Sequence, residues 1–141
     1  MNRFLRRACF FVFAGAALVV GCRSGSSEKM AQVTGKVSVG GQPLTGGNVT
    51  FMPVTTEQGA AGTSAGQIDK SGVYTIYTGG KAGAPLGKYK VTVTPSMVPT
   101  GDGKPPSASF NQKFQNAAQT PLLIQVVENP AGDAYDLKLT K

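Results

Sequence analysis

Few residues in this 141-residue chain are of types that do chemistry, and their spacing narrows the choice further. There is no His. That excludes Ser-His and Cys-His nucleophile pairs and His-based zinc sites. The seven Asp and Glu residues are dispersed, and no three share the spacing of a calcium loop. Asp69-Lys70-Ser71-Gly72 offers a carboxylate and a hydroxyl, but one acid suits a tight turn better than a cation. Asp accepts from backbone amides at the first turn position, and Gly tolerates positive φ at the last. Asp133 and Asp136 are similarly isolated. An internal isopeptide at Lys36 needs an inward side chain beside an Asn and a carboxyl group. Alternation with Thr34 and Ser38 places Lys36 on the polar face instead. No catalytic residue, metal or cofactor is expected, and the chain reads as a non-enzyme.

The aromatic residues Tyr77, Phe110 and Phe114 form a candidate binding surface, since exposed rings stack on sugars and pack on partner proteins. Phe110 and Phe114 lie at i and i+4. That spacing also suits, and suits better, two rings that pin a short helical turn onto the domain.

Cys22 raises a different chemistry. MNRFLRR opens the chain with three Arg residues, and ACFFVFAGAALVV follows as an uncharged apolar run of 13 residues. That is the length of a secretory leader's apolar segment and short for a membrane-crossing helix. Val19-Val20-Gly21-Cys22 resembles a bacterial lipobox, in which the Cys becomes the lipid-bearing first residue of the mature protein. The resemblance implies several acyl chains on one residue, and two or more chains anchor stably where one does not. Residues 23–29, Arg-Ser-Gly-Ser-Ser-Glu-Lys, then read as a flexible tether. Arg rather than Asp after the Cys leans towards the outer membrane of a cell envelope. The expected organisation is a leader at 1–21, a lipidated Cys and tether at 22–31, and one domain at 32–141.

With Cys9 in the leader and Cys22 acylated, the mature domain has no thiol and no disulfide. Its stability has to come from a core, and the 120 residues that remain after position 21 suffice for one. The formal charge of +7 includes Arg3, Arg6 and Arg7, so +4 remains beyond them, with scattered lysines. That is a solubility charge, and no nucleic-acid partner is expected.

The elements that position these residues are short strands. Val33, Gly35, Val37 and Val39 alternate with polar residues, as do Val49, Phe51 and Pro53. Thr63–Ile68 is a weaker strand. Val73–Thr78 is the strongest, with Tyr74 and Ile76 inward and Tyr77 outward. Tyr89, Val91 and Val93 form a fifth strand, Leu122, Ile124 and Val126 a sixth, and Tyr135, Leu137 and Leu139 a seventh. Gly79–Gly87 and Ser96–Ser109 read as loops, and Phe110–Ala118 as the site of one short helical turn. The expected fold is all-β, a seven-stranded antiparallel β-sandwich.

The stretch VTGKVSVGGQPLTGGNVTFMP resembles the opening of carboxypeptidase regulatory-like domains, which have a transthyretin-like (prealbumin-like) sandwich. Val33, Gly35, Val37, Gly41, Pro43, Leu44, Gly46 or Gly47, Val49 and Phe51 carry that pattern. Asp69, Gly72, Tyr74 and Ile76 continue it, followed by Gly87, Tyr89, Val91 and Val93. Pro121-Leu122 and Tyr135-Asp136-Leu137-Lys138-Leu139 resemble the end of small bacterial lipoproteins built from this one domain. These motifs are turn glycines and core aromatics, so the resemblance implies a fold more than a function. A hydrolase of this fold uses His residues and a characteristic C-terminal tail, both missing here. Two readings follow. In the first, a lipid-tethered module docks with another envelope protein through a sheet edge or loop tips. In the second, the domain binds a glycan or other envelope polymer through exposed aromatics.

Overall fold

The computed structural model describes residues 29–54, 63–96 and 109–141. Alternating apolar and polar residues become strands along most of these segments. In order they are β1 Met30–Ala31, β2 Thr34–Val39, β3 Gln42–Pro43, β4 Gly47–Pro53, β5 Ser64–Ile68 and β6 Val73–Thr75. There follow β7 Tyr77–Thr78, β8 Lys81–Ala82, β9 Ala84–Pro85, β10 Gly87–Pro95, β11 Leu123–Val126 and β12 Leu137–Leu139. One 3-10 turn covers Gln112–Gln115.

The main sheet runs β11-β10-β4-β5-β6-β2-β12. Every pairing in it is antiparallel except β12 beside β2. The result is all-β, a curled antiparallel sheet. Curling lets one face of the sheet enclose its own core. Val37, Val49, Phe51, Tyr89, Val91 and Val93 all point into it and are fully buried. Each such side chain stabilises the fold by about 1.5–3 kcal/mol. The Phe51 ring packs 5.7 Å from Tyr89 and 6.3 Å from Tyr74, centre to centre.

The strongest sequence-read strand is in fact two. It breaks at Ile76, whose N–H donates to the Val33 carbonyl at 2.9 Å while its own carbonyl accepts from Gly83 at 2.7 Å. Between those partners Ile76 is fully buried, and the chain exchanges one neighbour there, β2 for β8, while β5 stays on its other side. The Gly79–Gly87 stretch, expected as a loop, contains β8 and β9. Gly79 and Gly80, at φ +56° and +82°, make the two-residue β7–β8 turn. Such hairpin turns require positive φ at both central positions. β9 in turn pairs with β1. Met30 and Ala31, expected in the tether, therefore belong to the folded part, and Leu86 donates to the Lys29 carbonyl at 3.1 Å.

Three tyrosines fasten the sheet to its connections. Tyr74 donates to the Tyr135 carbonyl. Tyr89 donates to the Pro85 carbonyl at 2.8 Å, four residues upstream. The Tyr135 hydroxyl accepts from the Val127 amide at 3.2 Å. Each ring thus buries its apolar body while its hydroxyl finds a backbone partner.

Candidate functional site

The three aromatic residues singled out from sequence do not form one surface. Phe110 and Phe114 are 4% and 3% exposed, with rings 6.4 Å apart and tilted edge-on. The 3-10 turn carrying Phe114 is capped by Asn111, whose side chain accepts from the Lys113 amide at 3.0 Å. Asn111 itself donates to the Thr140 carbonyl at 2.9 Å, which ties the turn to the C-terminal strand's end. The two rings fill the core and offer no face to a ligand. Tyr77 stands apart, 51% exposed.

Asp69 closes a turn. Its Oδ1 accepts from the Ser71 amide at 2.8 Å, the Ser71 hydroxyl at 2.8 Å and the Val73 amide at 2.9 Å. The Ser71 hydroxyl bond and then the Val73 amide hold its carboxyl below the usual carboxylate range. Among the described residues no group of three His, Cys, Asp or Glu side chains is placed to hold a metal ion. Lys36 is exposed on β2, and its amide donates to Asp136 Oδ1 at 2.8 Å. Cys22 lies outside the described residues.

Two surfaces stand out among the described residues. The first is an open groove of about 520 Å³ on the outer face of the sheet. Asn48 and Gln67 stand directly opposite each other across β4 and β5. Thr75 and Tyr77 continue the lining, and Asp69 closes one end. Tyr77 faces Ala65 on one side and Ala82 on the other. Two methyl side chains flank the ring and leave its face uncovered.

The second surface is the edge at β11. No described strand pairs with its outer side. The Leu122 carbonyl accepts from Val91 at 3.0 Å. By the period of two, Ile124 and Val126 also turn their backbone groups to β10, while Leu123 and Gln125 turn theirs away. Leu123 is 66% exposed and Val54 47%. With Lys88, Ile124 and Gln125 they line a shallow cavity of about 330 Å³. Among the described residues no helix is long and apolar enough to cross a membrane.

Sequence reasoning found Tyr77 but not Asn48, Gln67 or Thr75 beside it. Those three become neighbours only through cross-strand register, which a single strand's pattern does not carry. Leu123 and Val54 were legible as apolar residues but not as exposed ones. The chain matches no family model, no curated protein and no solved structure.

Proposed function

We propose that the protein is a lipid-anchored, non-catalytic module of the cell envelope that docks an extended segment of a partner protein along β11. The observation that carries the docking reading is the free edge itself. Leu123 and Gln125 direct backbone groups outward, beside two exposed apolar side chains and the Lys88 ammonium stem. An added strand satisfies such an edge through main-chain hydrogen bonds, and the neighbouring cavity selects the side chains it carries. An apolar and acidic segment suits Val54, Leu123 and Lys88. The anchor reading rests on the basic opening, the apolar run and Cys22, with the outer membrane as the favoured location.

The finer reading of the fold is a transthyretin-like sandwich. It is supported by a counterpart for each sequence-read strand, namely β2, β4, β5, β6 with β7, β10, β11 and β12, though β12 runs parallel to β2 where an all-antiparallel arrangement was expected. It is also supported by the motif residues, since Tyr74, Tyr89 and Phe51 are core and Gly72 turns the chain at φ +82°.

The test is a photo-cross-linking residue at Leu123 in intact cells, with and without Gln125→Pro. Proline removes the outward amide and leaves the β10 ladder alone, which an edge strand tolerates. One dominant cross-linked protein, lost with Gln125→Pro while the sheet stays folded, is the expected result. Cross-links spread over many proteins, or unchanged by the substitution, would overturn the docking reading.

A further inference from the structure

The groove on the outer face of the sheet has a chemistry that the β11 edge does not share. Its aromatic residue is unlike the other tyrosines. Tyr74, Tyr89 and Tyr135 all spend their hydroxyls on backbone groups. Tyr77 is half exposed, and its hydroxyl makes no hydrogen bond among the described residues. The carboxamides of Asn48 and Gln67, opposed across the strands, are also unbonded among the described residues. Each carboxamide is both donor and acceptor. Thr75 adds a hydroxyl whose one bond runs sideways, 3.2 Å to the Thr34 hydroxyl. Asp69 adds a carboxylate whose Oδ1 accepts from Ser71 and Val73.

A bare ring face next to paired carboxamides and hydroxyls matches one ligand chemistry. A pyranose has an apolar C–H face and a rim of hydroxyls that donate and accept. The register places Gln67 two residues along β5 from Ala65, the partner of Tyr77. Two residues of strand cover about 7 Å, the length of one sugar ring with its hydroxyls. Among the described residues the lining holds one carboxylate and no Lys or Arg, so a neutral sugar fits and an acidic one is repelled. The groove's volume lies in the range of small-molecule sites.

We infer that this groove is a subsite for a neutral glycan, with one pyranose stacked on Tyr77 and its hydroxyls bonded to Asn48, Gln67 and Thr75. The site is separate from β11 and does not depend on the docking reading.

The test uses the full chain in phosphocholine-headgroup micelles, which carry no sugar. Soluble oligosaccharides of glucose, of mannose and of N-acetylglucosamine are titrated in turn. Tyrosine fluorescence and calorimetry read the binding, since the chain has no Trp. At least one neutral series binds saturably, and a uronic acid oligomer of the same length binds more weakly. Tyr77→Ala weakens the binding about tenfold, Tyr77→Phe by less than about threefold, and Asn48→Ala by an intermediate factor. Both positions are on the outer face, so circular dichroism of the three variants stays that of the parent. No saturable response to any neutral series overturns the assignment. So does binding that Tyr77→Ala leaves unchanged, which would put the sugar elsewhere.

Discussion

A single hydroxyl separates two kinds of tyrosine in this molecule. Tyr74 and Tyr77 are three residues apart on the same stretch of chain, yet one is sealed in the core and the other faces solvent. Burial, and then the Asp136 carboxylate, push the Tyr74 hydroxyl well above the usual tyrosine range. A raised folded-state value contributes stability that is fully present below the unfolded value of 10.0 and is lost as pH rises beyond it. Tyr74→Phe removes the bond to the Tyr135 carbonyl and leaves that acceptor buried, at a cost of about 1–2 kcal/mol near neutral pH. Above pH 10 the parent alone carries the penalty of an unionised Tyr74. The gap between parent and variant therefore closes by about 1.4 kcal/mol per pH unit. Urea denaturation of both proteins from pH 7 to 11 measures it, and a gap constant across that range would contradict this account.

Strands were legible in the sequence where one face is apolar and the other polar. β2, β4 and β10 appear there with nearly their final bounds, because their partners on both sides demand the same period. The break at Ile76 was not legible. Val73 to Thr78 alternates without interruption, and only the bond to Val33 and the closure by Gly83 show that the chain changes partners there. The short strands β1, β8 and β9 were hidden for a related reason: pairs of two residues carry no period. β5 read as weak because its inward positions include Ser64 and Gly66 instead of large apolar residues. Both have reasons set by neighbouring elements. The Ser64 hydroxyl lies 2.7 Å from that of Thr78 on β7. A Cβ at Gly66 would sit 2.1 Å from the Thr75 carbonyl oxygen of β6. That oxygen is backbone, so the whole of β6 must shift to admit a methyl group. Gly66→Ala is expected to destabilise by about 1–3 kcal/mol or more. Gly132→Ala, where a Cβ meets nothing within 4 Å, should change the urea midpoint little. Equal midpoints for the two variants would mean that the β5–β6 approach is not close. The candidate site was legible only as Tyr77, since the carboxamides beside it are ordinary polar positions until register pairs them.

At the scale of the whole molecule, the described structure begins at Lys29, inside the segment 22–31 that the sequence suggested as a tether. Lys29 accepts from Leu86 through its carbonyl, and its side chain reaches Glu128 at 3.0 Å, just beyond β11. That ion pair is exposed and contributes little by itself, but with the Leu86 bond it brings three distant segments together at the start of the described chain. β1 pairs with β9 there, and β9 follows directly from the hairpin that carries Tyr77. Among the described residues, every core side chain comes from Ala31 onward. Cys22→Ala should therefore separate anchoring from folding. The variant is expected to lose acylation, to keep its leader and to leave the mature, detergent-partitioning pool, while its β-sheet circular dichroism and urea midpoint match those of the parent. Intact mass after phase separation reads the first part and denaturation the second. A mature-sized, acylated variant in the detergent phase would refute the lipobox reading. A variant that fails to fold would refute the independence of the sheet from its leader, and leave the groove and the β11 edge to be tested in the parent chain.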